Sequence, residues 1–232
     1  MKLKKIAISQ SNYIPWRGYF DLIGIVDEFV IFDEMQYTRR DWRNRNKVKA
    51  PNGPLWLTVP VDVKGKYLQT IRETKIHGIA WKQNHWKTLK NCYSKAPFFN
   101  ELEEDLKKIY LEEDFKYLSK LNRRLIDLIC NYLEIQTIIT DSFEFSLAED
   151  KTERLIEICK QAGAEEYISG PSAKEYIDQK KFKKNKIKLS FIDYSGYEDY
   201  KQLGNGFEKN LSILDLIFNC GKSSSKFMKY LN

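Results

Sequence analysis

The chain opens with a short apolar run over residues 4–9, framed by lysines and closed by Ser9, the pattern of a short buried strand. A turn holding Pro15 and Gly18 follows, and apolar spacing over residues 19–26 predicts a helix. Residues 28–33 are almost continuously apolar and end in Asp33, as in a parallel strand covered on both faces. The opening therefore reads as βαβ. Residues 55–61 and 68–76 carry strand-like apolar positions around the stretch 62–66, which predicts a hairpin. From about 80 to 134 the spacing turns helical, with Leu118, Leu121, Leu125, Leu128, Ile129 and Tyr132 on one face, so two or three helices are expected. The tail alternates again, predicting strands at 137–140, 166–169 and 187–193 and helices at 152–162, 173–177 and 212–218. Gly163 stands where a left-handed helix cap is wanted.

This order predicts an α/β fold, a mostly parallel Rossmann-like sheet with a β-hairpin insertion and a helical insertion at about 80–134, forming one α/β domain over residues 1–232. Apolar residues make up 42% of the chain and aromatics 14%, enough for a large core. No apolar run is long enough to cross a bilayer, and the basic start is followed by too short an apolar patch for a secretion signal, so a cytoplasmic protein without a membrane partner is expected. Cys92, Cys130, Cys159 and Cys220 lie far apart with no CxxC pair, which points to reduced thiols and no metal site. The formal charge of +7 favours phosphates, nucleotides or nucleic acid as ligands. Much of that charge lies in residues 180–188, which reads equally well as a solvated basic face.

In an open parallel sheet the ligand lies beyond the carboxyl ends of the strands. Those ends carry Ser9-Gln10, Asp33-Glu34, Thr140-Asp141, Ser169-Gly170-Pro171-Ser172 and Asp193-Tyr194, all expected on one rim. Ser169 and Gly170, between a strand and a helix, suit an anion, or else form an ordinary turn with Ser172 as cap. The densest chemistry is residues 36–47, where Arg39, Arg40, Arg43, Arg45 and Lys47 crowd around Tyr37 and Trp42. Arginine forks bind phosphate oxygens and aromatic faces stack on a base or sugar, whereas a merely solvated loop has little use for two aromatics. His77 and His85 are the only histidines and are badly spaced for a shared metal. His85, between Trp81 and Trp86, reads as a structural residue or as an acid, base or phosphate donor on a helix across the mouth of the site. The Gly221-Lys222-Ser223 end of a Walker-type loop lacks its first glycine, Leu216 standing there, and no GxGxxG, HExxH or GxSxG occurs.

Residues 10–20 (QSNYIPWRGYF), 33–37 (DEMQY) and 44–46 (NRN) resemble the WbqC-like family of bacteria. The similarity continues through WLTVPV at 56–61, His85-Trp86, TERL at 152–155, YISGP at 167–171 and LSILDLIFNCG at 211–221. The family pattern is matched at Gln10, Tyr13, Pro15, Trp16, Gly18, Asp33, Gln36, Asn44, Arg45, His85, Ser169, Gly170 and Asp215. Where the pattern has Gln followed by Pro, this chain has Ser11 and Asn12 after Gln10. A looser similarity, of topology alone, is to adenylate-forming nucleotidylyltransferases, whose HIGH histidines are replaced here by residues 15–18.

The resemblance implies a transferase of surface-polysaccharide synthesis (O-antigen or capsule) that moves an acyl or aminoacyl group, such as glycyl, onto a nucleotide-linked amino sugar. Amide formation needs a base for the sugar ammonium, for which Asp33 or His85 is expected, and a donor to the tetrahedral oxyanion, for which Asn44 or Gln10 is expected. Arg39, Arg43 and Arg45 are expected on the nucleotide diphosphate, and Tyr13, Trp16, Gln36, Trp42, Ser169 and Gly170 around the substrate. No cofactor is identified: the donor is ATP plus an amino acid, a coenzyme A thioester or an aminoacyl-tRNA. The tRNA would track basic stretches at 180–188 and 222–229, although no RNA-binding signature accompanies them and DNA is not expected. The alternative is a non-catalytic nucleotide-sugar or carbohydrate-binding factor that assists a partner enzyme.

Overall fold

The computed structural model describes residues 3–231. The opening βαβ unit forms as β1 (Lys5–Ser9), α1 (Arg17–Gly24) and β2 (Glu28–Ile31), with β1 and β2 parallel and Ser9 opposite Ile31. A separate antiparallel ribbon follows, β3 (Arg45–Ala50) and β4 (Gly53–Thr58), then three helices, α2 (Ala80–Tyr93), α3 (Asn100–Leu111) and α4 (Leu118–Tyr132). The chain returns to the sheet through β5 (Ile138–Asp141), α5 (Lys151–Gln161), β6 (Glu166–Ser169), α6 (Gln179–Lys184), β7 (Lys188–Phe191) and α7 (Ile213–Cys220).

The five parallel strands lie in the order β5-β2-β1-β6-β7, which runs outward from β1 in both directions. Successive connections therefore leave β1 and β6 on opposite courses, and the crevice beyond their carboxyl ends is where open α/β sheets take ligands. The two faces of the sheet are covered unequally. Ala7, Phe29 and Ile31 meet α1, the helical insertion and α7 in the larger core, while Ile6, Ile8, Val30 and Phe32 meet α5 and α6 in the smaller one. Side chains such as Phe20 and Phe29 have no exposed surface, and burial of each contributes roughly 1.5–3 kcal/mol. Among the described residues no helix is long and apolar enough to cross a membrane.

The expected α/β class and the helical insertion are present, but the hairpin lies elsewhere. It pairs Arg45 with Thr58 and Ala50 with Gly53 across a two-residue turn, while residues 59–76 form only isolated bridges such as Val61 with Ile76. Gly53 enters β4 at φ 112°, a conformation open to glycine, so the Asn52-Gly53 pair fixes the turn. The expected helix at 173–177 is a single 3-10 turn (Pro171–Glu175), and the basic run 180–188 instead contains α6, anchored by the fully buried Phe182 and capped by Asp178. Gly163 does take the left-handed conformation, φ 65°, after α5.

Candidate functional site

Residues 10–16 cross from the end of β1 to the start of α1, and their shape is imposed from outside. Ile14 sits at φ 37°, an unfavourable region for a β-branched residue. Buried Asn46 of β3 holds it there, its Nδ2 donating to the carbonyls of Ile14 at 2.8 Å and Tyr13 at 3.2 Å. The Tyr13 N–H donates to the Trp42 carbonyl at 3.0 Å.

Arg43 fixes the polar side chains of this loop. Its guanidinium donates through Nη2 to Gln10 Oε1 and through Nη1 to Asn12 Oδ1. A guanidinium has donors only, so both carboxamides must turn their oxygens to it and their NH2 groups away. Those two NH2 groups have no partner among the described residues. Asn12 lines a cleft of about 210 Å³ with Pro15, Trp16, Trp42, Asn46 and Asn210. Fixed amides beside tryptophan faces suit a hydroxyl-rich ring, the amides meeting hydroxyls and the indoles the C–H face.

Asp33, just beyond β2, is buried and braces the same loop. Its Oδ1 accepts the Ser11 N–H at 2.8 Å and its Oδ2 the Ser11 hydroxyl at 2.7 Å. Asn122 of α4 donates to Ser11 Oγ at 3.0 Å and to the Arg43 carbonyl at 2.9 Å, tying the helical insertion to the rim. Burial raises the Asp33 carboxyl to about 6, although the bonds from Ser11 and the charge of Arg43 pull it down. Asp33 opens not onto the tryptophan cleft but onto a narrow neighbouring one with Glu34, Arg72, Arg123 and Asp141.

The basic segment divides into parts that reach the cleft and parts that do not. Trp42 lies 5.4 Å from Trp56 between ring centres, the Arg45 guanidinium sits 4.2 Å over Trp56 and Lys47 Nζ 5.0 Å, so the ribbon carries a cationic aromatic platform next to the cleft. Arg45 Nη2 donates to the Arg40 carbonyl, while its Nε is buried without a partner among the described residues. Gln36 and Arg39 are exposed and serve the connection beyond the ribbon, donating to the carbonyls of Tyr67 at 2.8 Å and Val63 at 3.2 Å. Asn44 is buried, and its Nδ2 donates to the Val59 carbonyl at 2.8 Å, which leaves an oxygen without a partner among the described residues and not the free donor expected of an oxyanion ligand.

His85 does not lie across a mouth. It is 6% exposed, with Nδ1 2.8 Å from the Tyr13 hydroxyl, a backbone hydrogen bond to Thr58 and the rings of Trp81 and Tyr110 beside it. Burial lowers its pKa to about 4, so it is neutral and reaches the rim only through Tyr13, whose hydroxyl also meets that of Tyr110 at 2.5 Å. Ser169 is likewise buried, 3.1 Å from the Tyr167 hydroxyl, and Gly170, not Ser172, caps the 3-10 turn. Pro171 supplies no N–H there, and the expected helix is a 3-10 turn, so fewer backbone donors face this end than expected of a strand-to-helix anion site.

The structure thus gathers Gln10, Tyr13, Trp16, Trp42, Arg43 and, through Trp56, Arg45, with Asp33 behind them. Sequence reasoning passes over Asn12, Asn46 and Asn122 as site residues, although the amides Gln10, Asn12, Asn44 and Asn46 on either side of β2 are a local signal.

A model of the WbqC-like protein family matches residues 10–227. An uncharacterized protein of Mycobacterium tuberculosis is 54% identical over 228 residues, which cover 98% of this chain and 99% of that protein. No solved structure matches the chain.

Proposed function

This chain belongs to the WbqC-like protein family, and from that membership we propose that it is a cytoplasmic transferase of O-antigen or capsule synthesis that places an acyl or aminoacyl group, such as glycyl, on a nucleotide-linked amino sugar. The observation that carries this reading is the Arg43 clamp, which takes the amide oxygens of Gln10 and Asn12 at the carboxyl end of β1 and leaves their NH2 groups turned away from it. In this reading the sugar ring lies between Trp16 and Trp42. The base and diphosphate lie on the platform of Trp56, Arg45 and Lys47. Gln10 donates to the developing oxyanion, and Asp33, raised to about 6 by burial, takes the proton of a sugar ammonium that reaches beyond the tryptophan cleft into the narrow one beside Glu34. Of the basic stretches suited to an aminoacyl-tRNA, Lys181, Lys188, Lys222 and Lys229 each pair with a carboxylate, which reduces the charge left for an RNA backbone.

A second reading, a carbohydrate-binding factor without catalysis, is favoured by one observation: both Asp33 oxygens are engaged by Ser11 and His85 is sealed in the core. The test is to incubate the purified protein with a nucleotide-linked amino sugar and, in separate reactions, amino acid plus ATP, acyl coenzyme A or aminoacyl-tRNA, and to weigh the sugar by mass spectrometry. A mass gain supports the transferase. A ligand-induced thermal shift with no gain in any reaction supports the binding factor, and neither result together would sink both.

A further inference from the structure

Trp16 also borders a second cleft, of about 230 Å³, lined with it by Arg17, Tyr194, Tyr197, Tyr200 and Asn210. Trp16 and Asn210 line both clefts, so two small ligands would sit on either side of shared walls. Arg17, the first residue of α1, is half-buried, its guanidinium 4.5 Å from the Tyr197 ring and 5.6 Å from that of Tyr200. Its Nη1 donates to the carbonyls of Glu198 at 2.8 Å and Phe227 at 3.0 Å, while Nη2 and Nε have no partner among the described residues. Burial lowers its pKa, opposed by Tyr200, Tyr197, Asp199 and Asp21.

The rest of the lining completes the pattern. Asp199 and Glu208 border the same cleft, and their carboxylates make no hydrogen bond or ion pair among the described residues. Lys209 adds a second cation, this one exposed. The hydroxyls of Tyr197 and Tyr200 are already donated to Asp21 and Asp215, each at 2.6 Å, so these residues offer rings and not donors. A simple anion would meet Arg17 but face two carboxylates. A simple amine would meet the carboxylates and leave Nη2 and Nε of Arg17 without an acceptor among the described residues. The geometry points to this cleft as a binding site for a small zwitterion, carboxylate on Arg17 and ammonium towards Asp199 or Glu208, an α-amino acid being the simplest such ligand.

As a site for the second reactant this rests on the transferase reading; as a binding site it does not. It also selects among donors, because an amino acid esterified to tRNA or thioesterified to coenzyme A has no free carboxylate to give Arg17.

The experiment is calorimetric titration of the full chain with a panel of α-amino acids, then with the amide and the des-amino acid of the best one. The amino acid is expected to bind, and each analogue to bind about tenfold more weakly or worse, as loss of one charge-assisted contact requires. Arg17→Lys should weaken binding by a similar factor. Because Arg17 also latches two carbonyls, Asp199→Asn, at an exposed position whose carboxylate makes no hydrogen bond or ion pair among the described residues, provides a second variant that does not disturb folding, and Asp199→Asn combined with Glu208→Gln should weaken binding about tenfold or more. No binding by any amino acid in the panel, or equal binding by the amide or the des-amino acid, overturns the proposal. Titration of the same samples with the nucleotide sugar separates the two readings: sugar binding lost with amino-acid binding intact defeats the transferase assignment and leaves this site standing.

Discussion

Asp33 grips Ser11 with both carboxylate oxygens, one on the backbone N–H at 2.8 Å and one on the side-chain hydroxyl at 2.7 Å. The loop after β1 is therefore held to the end of β2 by a single buried acid. In Asp33→Asn the amide NH2 would confront a hydroxyl that already accepts from Asn122. Loss of one charge-assisted bond costs about 1.5–3 kcal/mol, and removal of the buried charge offsets a similar amount at neutral pH, so the denaturant midpoint there should move little while sugar transfer is abolished. Turnover at the wild-type rate would make Asp33 a brace and nothing more.

Asp33 and His85 should drive stability in opposite directions over one pH range. Asp33 rises from the ordinary 3.8 to about 6 in the fold, so the native state holds more protons between these values and its contribution is lost as pH climbs from about 4 to 6. His85 falls from 6.5 to about 4, so the unfolded state holds more protons and stability is lost as pH drops from about 6.5 to 4. Each effect amounts to roughly 3 kcal/mol, and together they nearly cancel. Denaturation curves of the wild type should be nearly flat from pH 4 to 6, those of Asp33→Asn should gain stability with rising pH, and those of His85→Gln should lose it. Parallel profiles for all three proteins would refute the assignment.

Arg43→Lys keeps the charge but cannot serve two carboxamide oxygens at once. Gln10 and Asn12 would then rotate freely, and affinity for the nucleotide sugar should fall about tenfold or more, with a much smaller change in melting temperature. Calorimetry beside a thermal melt checks both. A wild-type affinity would mean that the orientation of the amides is irrelevant to the ligand.

Arg45 and Arg40 provide a paired comparison. Arg45 lies over Trp56, so Arg45→Lys loses the planar stacking and should weaken nucleotide-sugar binding about tenfold. Arg40 is exposed and holds φ 58°, so Arg40→Gly should leave binding intact and gain up to about 1 kcal/mol of stability by relieving the left-handed backbone. Equal affinities for wild type and Arg45→Lys would remove the platform from the site.

What the sequence reveals follows how local each signal is. The buried strands at 4–9 and 28–33 and the helical spacing around Leu118 to Tyr132 are written in consecutive residues, and they were legible. The ribbon was not, because the charges of Arg45, Lys47 and Lys49 mask an alternation that sends Asn46 and Val48 inward. His85 is surrounded by Tyr13, Trp81 and Tyr110, two of them far away in sequence, so no window around it could show its burial. The cleft beside Arg17 draws on residues 16–17 and 194–216, and its one local hint is the tyrosine spacing at 194, 197 and 200.

The backbone of Ile14 carries a consequence for how this rim comes into being. A β-branched residue does not choose φ 37° unaided, and the clasp that enforces it, Asn46, belongs to a ribbon more than thirty residues downstream. A nascent or partly folded chain that has completed β1, α1 and β2 still lacks the ribbon, so it has the first two strands of its sheet but not its recognition surface. Binding competence is therefore acquired only when the ribbon has docked on the loop, and it is surrendered when the ribbon frays.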